Sequence, residues 1–185
     1  LLGRKENDTE VQESIDTYLA INIEREQICI HPDNGGDPLL YGARHLGVPV
    51  GSDEFIKDYL AKSLLKYEKE AELLLEVEKP QHRWIYLYYC LARKPSFILR
   101  HVLPSLSFDF CTKFDDILKR VFESISDTSL SNTQWKQVKV PIRFGGFGLP
   151  GTAHVAAAAF VANAKEATEY IMRKVPQARF LIDPD

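Results

Sequence analysis

A chain of 185 residues, 45% hydrophobic and 26% charged, carries enough apolar material for one domain, or one domain and a smaller lobe, and falls outside the composition of disordered, collagen-like or disulfide-scaffold proteins. A net charge of −3 with a pI near 6.0 excludes a basic excess over the whole chain. No apolar run reaches the ~18 residues that cross a bilayer, the longest being the small-residue stretch from Ala156 to Ala162.

The elements are expected in the following order. Residues 8–21 place Val11, Ile15, Tyr18 and Leu19 on one face of a short helix capped by Asp8 or Thr9. Gln27 to His31 and His45 to Val50 are brief β-favouring runs on either side of a turn-rich loop. They are expected to pair as a small ribbon with Pro49 at its edge, because proline cannot donate to a central ladder. Ser52 caps a long helix running to about Val77, with Asp53 and Glu54 at the positive end of its dipole. A second helix from Pro80 to about Arg93 is rich in aromatics, and Trp84, Tyr86, Tyr88 and Tyr89 are expected to pack in the core. Pro95 ends or kinks it before a turn or two from Phe97 to Leu103. Asp109 to about Ile125 traces another apolar stripe; Trp135 to Phe144 and the glycine-rich RFGGFGLPG are read as irregular; Thr152 to Lys174 is a long alanine-rich helix. The expected fold class is mainly α, a helical bundle of about five to six helices with a small β-ribbon near the N-terminus.

Chemistry-bearing motifs are few. Cys29, Cys90 and Cys111 lie far apart and give neither a disulfide framework nor a zinc spacing, so they are expected reduced and mostly buried. The five histidines never fall at i, i+4 around a carboxylate, and no nucleophile has an activating partner in a suitable strand-turn-helix context. The adjacent pair Asp115-Asp116 sits within a helical pattern and is expected to face solvent. No catalytic and no metal-binding residue is assigned. IRFGGFGLPG lacks the Lys-Ser/Thr of a phosphate-binding loop, which favours a structural turn over a phosphate cradle. Charge is unevenly spread: Glu68, Glu70, Glu72, Glu76 and Glu78 form a solvated acidic stretch, while Arg93, Lys94, Arg100 and His101 cluster around a helix break. The start, Leu1-Leu2-Gly3-Arg4, has no initiator Met, basic region or cleavage pattern. A piece of a longer soluble, intracellular protein is expected, nuclear or cytoplasmic being left open.

Three strings occur in a telling order: LGVPVGSDEFIKDYL at 46–60, YLYYCLARKPSFILRHVLP at 86–104 and VKVPIRFGGFGLP at 138–150. Together they resemble the segment that follows the catalytic palm in reverse-transcriptase open reading frames of non-LTR-retrotransposon type. The likeness covers residues 46–165, about two thirds of the chain. It implies a palm-end segment with a short ribbon over residues 1–50 and a helical thumb-like domain over 51–185. It also implies a part of an RNA-directed DNA polymerase that grips an RNA/DNA primer-template while the palm and fingers, upstream in the same polypeptide, do the chemistry. Such enzymes hold two divalent ions on aspartates, one pair of them in a Tyr-x-Asp-Asp hairpin. This chain has no such hairpin, so it is expected to be inactive alone and to need no cofactor, the divalent metal belonging to the missing palm. The resemblance raises Arg83, Arg93, Lys94, Arg100, His101 and Arg143 as nucleic-acid-binding candidates; the other reading of these residues is an ordinary charged rim. A helical protein-interaction module with no nucleic-acid role is the alternative function, and neither reading places the chain in a membrane.

Overall fold

A computed structural model describes residues 28–29 and 42–174, so the helix expected over residues 8–21 lies outside the described residues. The chain divides into two compact units, residues 1–56 and 57–185.

The first unit contains a three-stranded antiparallel sheet in the order β1-β2-β3, formed by β1 (Ile28–Cys29), β2 (Gly42–His45) and β3 (Val48–Gly51). The ribbon near the N-terminus is therefore present, but its wiring departs from the expected one. The run from His45 to Val50 is not one strand: β2 and β3 form a hairpin with His45 opposite Val48. Leu46 and Gly47 make its turn at φ of 49° and 86°, the doubly positive backbone whose twist matches paired strands. The alternating apolar pattern hid this turn because leucine rarely adopts positive φ. β1 pairs with β2, which leaves β3 and its Pro49 at the edge of the sheet. Phe55 lies over β2 so closely that a side chain at Gly42 would meet its ring.

Helix α1 (Asp53–Leu75) opens on Ser52, whose Oγ accepts from the Phe55 N–H at 3.2 Å. In the second unit this helix is followed by α2 (Pro80–Tyr89), α3 (Ser96–His101), α4 (Pro104–Ser126), α5 (Asn132–Lys139) and α6 (Thr152–Lys174), with 3-10 turns at Leu91–Arg93 and Ile142–Phe144. The fold is mainly α, a helical bundle with a small β-ribbon. Three boundaries shift from expectation. α2 stops at Tyr89 and the chain tightens into a 3-10 turn, in which the Lys94 N–H takes the Leu91 carbonyl that Pro95, having no N–H, leaves open. α4 begins at Pro104, where proline suits the first helical turn. The stretch from Trp135 read as irregular begins inside a helix, α5, which opens before it on a capping box in which Ser131 and Gln134 exchange side-chain and backbone hydrogen bonds.

Helix α4 is the centre of the core. Phe110, Cys111, Phe114, Ile117, Leu118, Val121 and Phe122 are all buried along it. Leu60, Tyr67, Ala71 and Leu74 of α1, Leu87 of α2, Leu99 of α3 and Val138 of α5 are also buried in this unit. Tyr67 meets Phe114 edge-on at 5.4 Å between ring centres. Burial, with the charges of Tyr59 and Glu70 adding to it, pushes the Tyr67 hydroxyl up to about 12. α6 packs on α3 and α4, yet of its alanines only Ala156 is buried; Ala157, Ala158, Ala162 and Ala167 are exposed. Its small residues on the inner face allow the close approach to α3 and α4, and those on the outer face serve helix propensity. No helix among the described residues is long and apolar enough to cross a membrane.

Candidate nucleic-acid interface

Two sequence intervals contain no carboxylate at all: residues 79–108 and 128–165. They carry Lys79, Arg83, Arg93, Lys94 and Arg100 in the first and Lys136, Lys139, Arg143 and Lys165 in the second. Folding brings parts of the two intervals together. Trp84 of α2 stacks edge-on with Phe147 at 5.9 Å, and the Tyr88 hydroxyl borders Gly148. At the other end, α3 lies along α6, where Asn163 Nδ2 donates to the Arg100 carbonyl at 3.0 Å.

The six expected contact residues fall into three situations. Arg93 and the turn that carries Arg143 meet around Tyr88. The Arg93 guanidinium lies 5.3 Å from the centre of the Tyr88 ring, and Ile142, next to Arg143, shares with Tyr88 the space around Gly148. Arg143 is exposed and rests on Phe144 at 4.8 Å. Arg100 and His101 end α3 on exposed positions, the His101 ring tilted against Phe97 at 4.7 Å and its Nδ1 at 2.8 Å from the Phe97 carbonyl. Arg83 and Lys94 are committed elsewhere. Arg83 Nε donates to the Val77 carbonyl, closing the end of α1, and its Nη1 donates to Ser124 Oγ at 3.3 Å. Lys94 is ion-paired with Glu70 of α1. Among the described residues Arg93, Arg100 and Arg143 belong to no ion pair.

The glycine-rich loop does not offer its amides to an anion. The N–H groups of Gly145, Gly146, Phe147, Gly148 and Leu149 donate to carbonyls of residues 138–142, and the Gly145 carbonyl accepts from Gln137 Nε2 at 2.8 Å. Gly145 and Gly148 take φ of 82° and 68°, and a Cβ on Gly146 would lie 1.9 Å from the Val140 oxygen. The loop is a rigid turn folded onto the end of α5, as its lack of a phosphate-loop Lys-Ser/Thr suggested.

Asp115 corrects an expectation. It is 6% exposed: Oδ1 accepts from the Thr152 N–H and Oδ2 from Lys139 Nζ, each at 2.8 Å. The carboxylate sits where the first turn of α6 leaves its N–H groups without helical partners, and the neighbouring lysine makes its burial tolerable. Asp116 alone remains exposed. The acidic stretch of α1 is likewise only partly solvated, since Glu68 pairs with Arg120 at 3.3 Å and Glu70 with Lys94, while Glu72, Glu76 and Glu78 are exposed. No group of His, Cys, Asp and Glu able to hold a metal ion occurs among the described residues.

The aromatics of α2 also depart from a core role. Tyr86 and Tyr89 are 60% and 69% exposed, and the rings of Tyr88 and Tyr89 touch at 4.9 Å although they are adjacent in sequence, because the helix ends there. Of the cysteines, Cys111 is buried and Cys90 exposed, the latter beside an apolar cavity of about 450 Å³ that includes Leu73, Leu74, Val77 and Tyr86 in its lining. Comparison with protein-family models, with curated proteins and with solved structures returns no match for this chain.

Proposed function

We propose that residues 57–185 bind a nucleic-acid backbone through Arg93, Arg100 and Arg143, as the thumb within the palm-end and thumb portion of a retroelement reverse transcriptase whose catalytic carboxylates lie elsewhere. The observation that carries this reading is the exclusion of carboxylates from residues 79–108 and 128–165 in a chain of net charge −3, so that the acidic total is concentrated elsewhere. Segments that carry Lys and Arg with no carboxylate among them can attract a polyanion even when the whole protein does not. The resemblance of the three sequence strings supplies the polymerase context, and the primer-template is the expected ligand.

A fluorescence-anisotropy titration of the chain with a labelled RNA–DNA hybrid tests it. With about three phosphates neutralised, the logarithm of affinity falls against the logarithm of salt with a slope near −3. Arg93→Glu with Arg143→Glu flattens that slope. Binding absent at low salt, or indifferent to salt, refutes the reading.

The alternative, a helical protein-interaction module, is favoured by one observation: Val161, Tyr170 and Ile171 of α6 are exposed at 63%, 54% and 41%. It predicts self- or partner association lost on Val161→Asp and no affinity for polynucleotides.

A further inference from the structure

We infer that the aromatic cluster at the end of α2 stacks on the unpaired bases of a single strand. The inference rests on the nucleic-acid reading of the neighbouring arginines and adds an unpaired stretch of strand to the ligand they hold. Tyr89, Tyr88, Trp84 and Phe147 are linked ring to ring at 4.9, 5.4 and 5.9 Å, and the chain of rings is open to solvent at Tyr89, 69% exposed, and at Phe147, 50% exposed. Ile142, 67% exposed, borders the same Tyr88 across Gly148. Exposed rings in contact with one another are an interaction surface rather than scattered surface residues.

Three features select the occupant. The Arg93 guanidinium lies over Tyr88, so cation and ring are presented together, the combination that holds a base by its face and its phosphate by charge. The segments contributing every one of these residues contain no carboxylate, which suits a polyanion. A paired duplex hides the faces of its bases and offers such rings nothing to stack on, whereas each unpaired base offers a π-face whatever its identity. The platform is also fixed in advance: the Phe147 and Leu149 N–H groups both donate to the Val138 carbonyl, at 3.2 and 3.4 Å, so its loop side is held before any strand arrives. Stacking of this kind tolerates any sequence.

The test is anisotropy with fluorescein-labelled oligothymidylate of about 12 nucleotides, within the span of such binding sites, against a blunt duplex of the same length. The strand is expected to bind more tightly than the duplex. Tyr89→Ala weakens strand binding about ten-fold and duplex binding hardly at all, Tyr89→Phe restores it, and Tyr170→Ala, at an exposed tyrosine of α6, changes neither. Salt-sensitive binding that persists unchanged in Tyr89→Ala overturns the stacking inference and leaves the backbone reading intact. Absence of binding to strand and duplex alike at low salt overturns both. Sedimentation showing a dimer that Tyr89→Ala dissolves, with oligonucleotide affinity unaltered, assigns the rings to a second copy of the chain and overturns the inference.

Discussion

Replacing Asp115 by alanine removes the acceptor of the Thr152 N–H, and Thr152 is only 3% exposed, so an unsatisfied buried donor is left at about 1–3 kcal/mol. It also leaves Lys139 without its partner. The side chains of the pair are 18% and 8% exposed for Lys139 and Asp115, so the lysine can turn into water and the further loss stays below the about 3–5 kcal/mol of a fully buried pair. The two effects together give about 3 kcal/mol for Asp115→Ala. Asp115→Asn keeps an oxygen for Thr152 but turns an NH2 donor towards Lys139, so it loses the ion pair while sparing the buried Thr152 N–H, and is expected to cost about 1–2 kcal/mol. Both tryptophans, Trp84 and Trp135, lie in residues 57–185, so their fluorescence in a urea titration reports that unit. A loss under about 0.5 kcal/mol for Asp115→Ala, or an asparagine as costly as the alanine, refutes the reasoning.

Gly146→Ala drives a Cβ to within 1.9 Å of the Val140 oxygen and is expected to cost more than about 2 kcal/mol, whereas Gly145→Ala meets nothing closer than 3.7 Å and loses only the about 1 kcal/mol of a left-handed residue; thermal melts of the two variants separate backbone approach from dihedral strain. Ser131→Ala breaks the capping box of α5 at a cost of about 1 kcal/mol, read from the urea midpoint. Burial, partly offset by a Ser107 hydrogen bond, pushes the Cys111 thiol from 9.0 up to about 11, so the unfolded chain ionises first and folded stability, level below about pH 9, declines as pH rises towards 11; Tyr67 acts in the same direction above 10. Urea midpoints that stay constant across this range contradict the buried placement. In a Cys29→Ser background at about pH 8, Cys90 reacts rapidly with a thiol reagent and Cys111 only on unfolding.

Where apolar residues repeat at helical spacing the fold was legible. α1, α4 and α6 are long enough for the period to stand out, and α6 begins at Thr152 as read. Short elements were lost for identifiable reasons. α5 has eight residues and two buried side chains, too few to show a period, and its signature was the Ser131-x-x-Gln134 box. The Leu46-Gly47 turn was masked by a leucine in a conformation that leucine seldom takes. The burial of Asp115 was invisible because its partners, Lys139 and Thr152, are 24 and 37 residues away. For the candidate interface, the cations were legible by type, but their commitments were not: Arg83 and Lys94 turn to α1, and the pairing of Arg93 with Tyr88 depends on where α2 stops. The carboxylate-free intervals were the signal available in the sequence for the candidate interface.

The excursion from Lys139 to Thr152 leaves and returns to one carboxyl group, Asp115, and this makes it a ring in effect though not in covalent structure. A ring closed from within has already met the entropy of bringing its ends together, which an open loop loses only when a ligand arrives. Side chains carried on its outer arc, Arg143 and Phe144 among them, can therefore be exchanged without re-opening it, and the segment is suited to carry altered specificity while the bundle beneath stays unchanged.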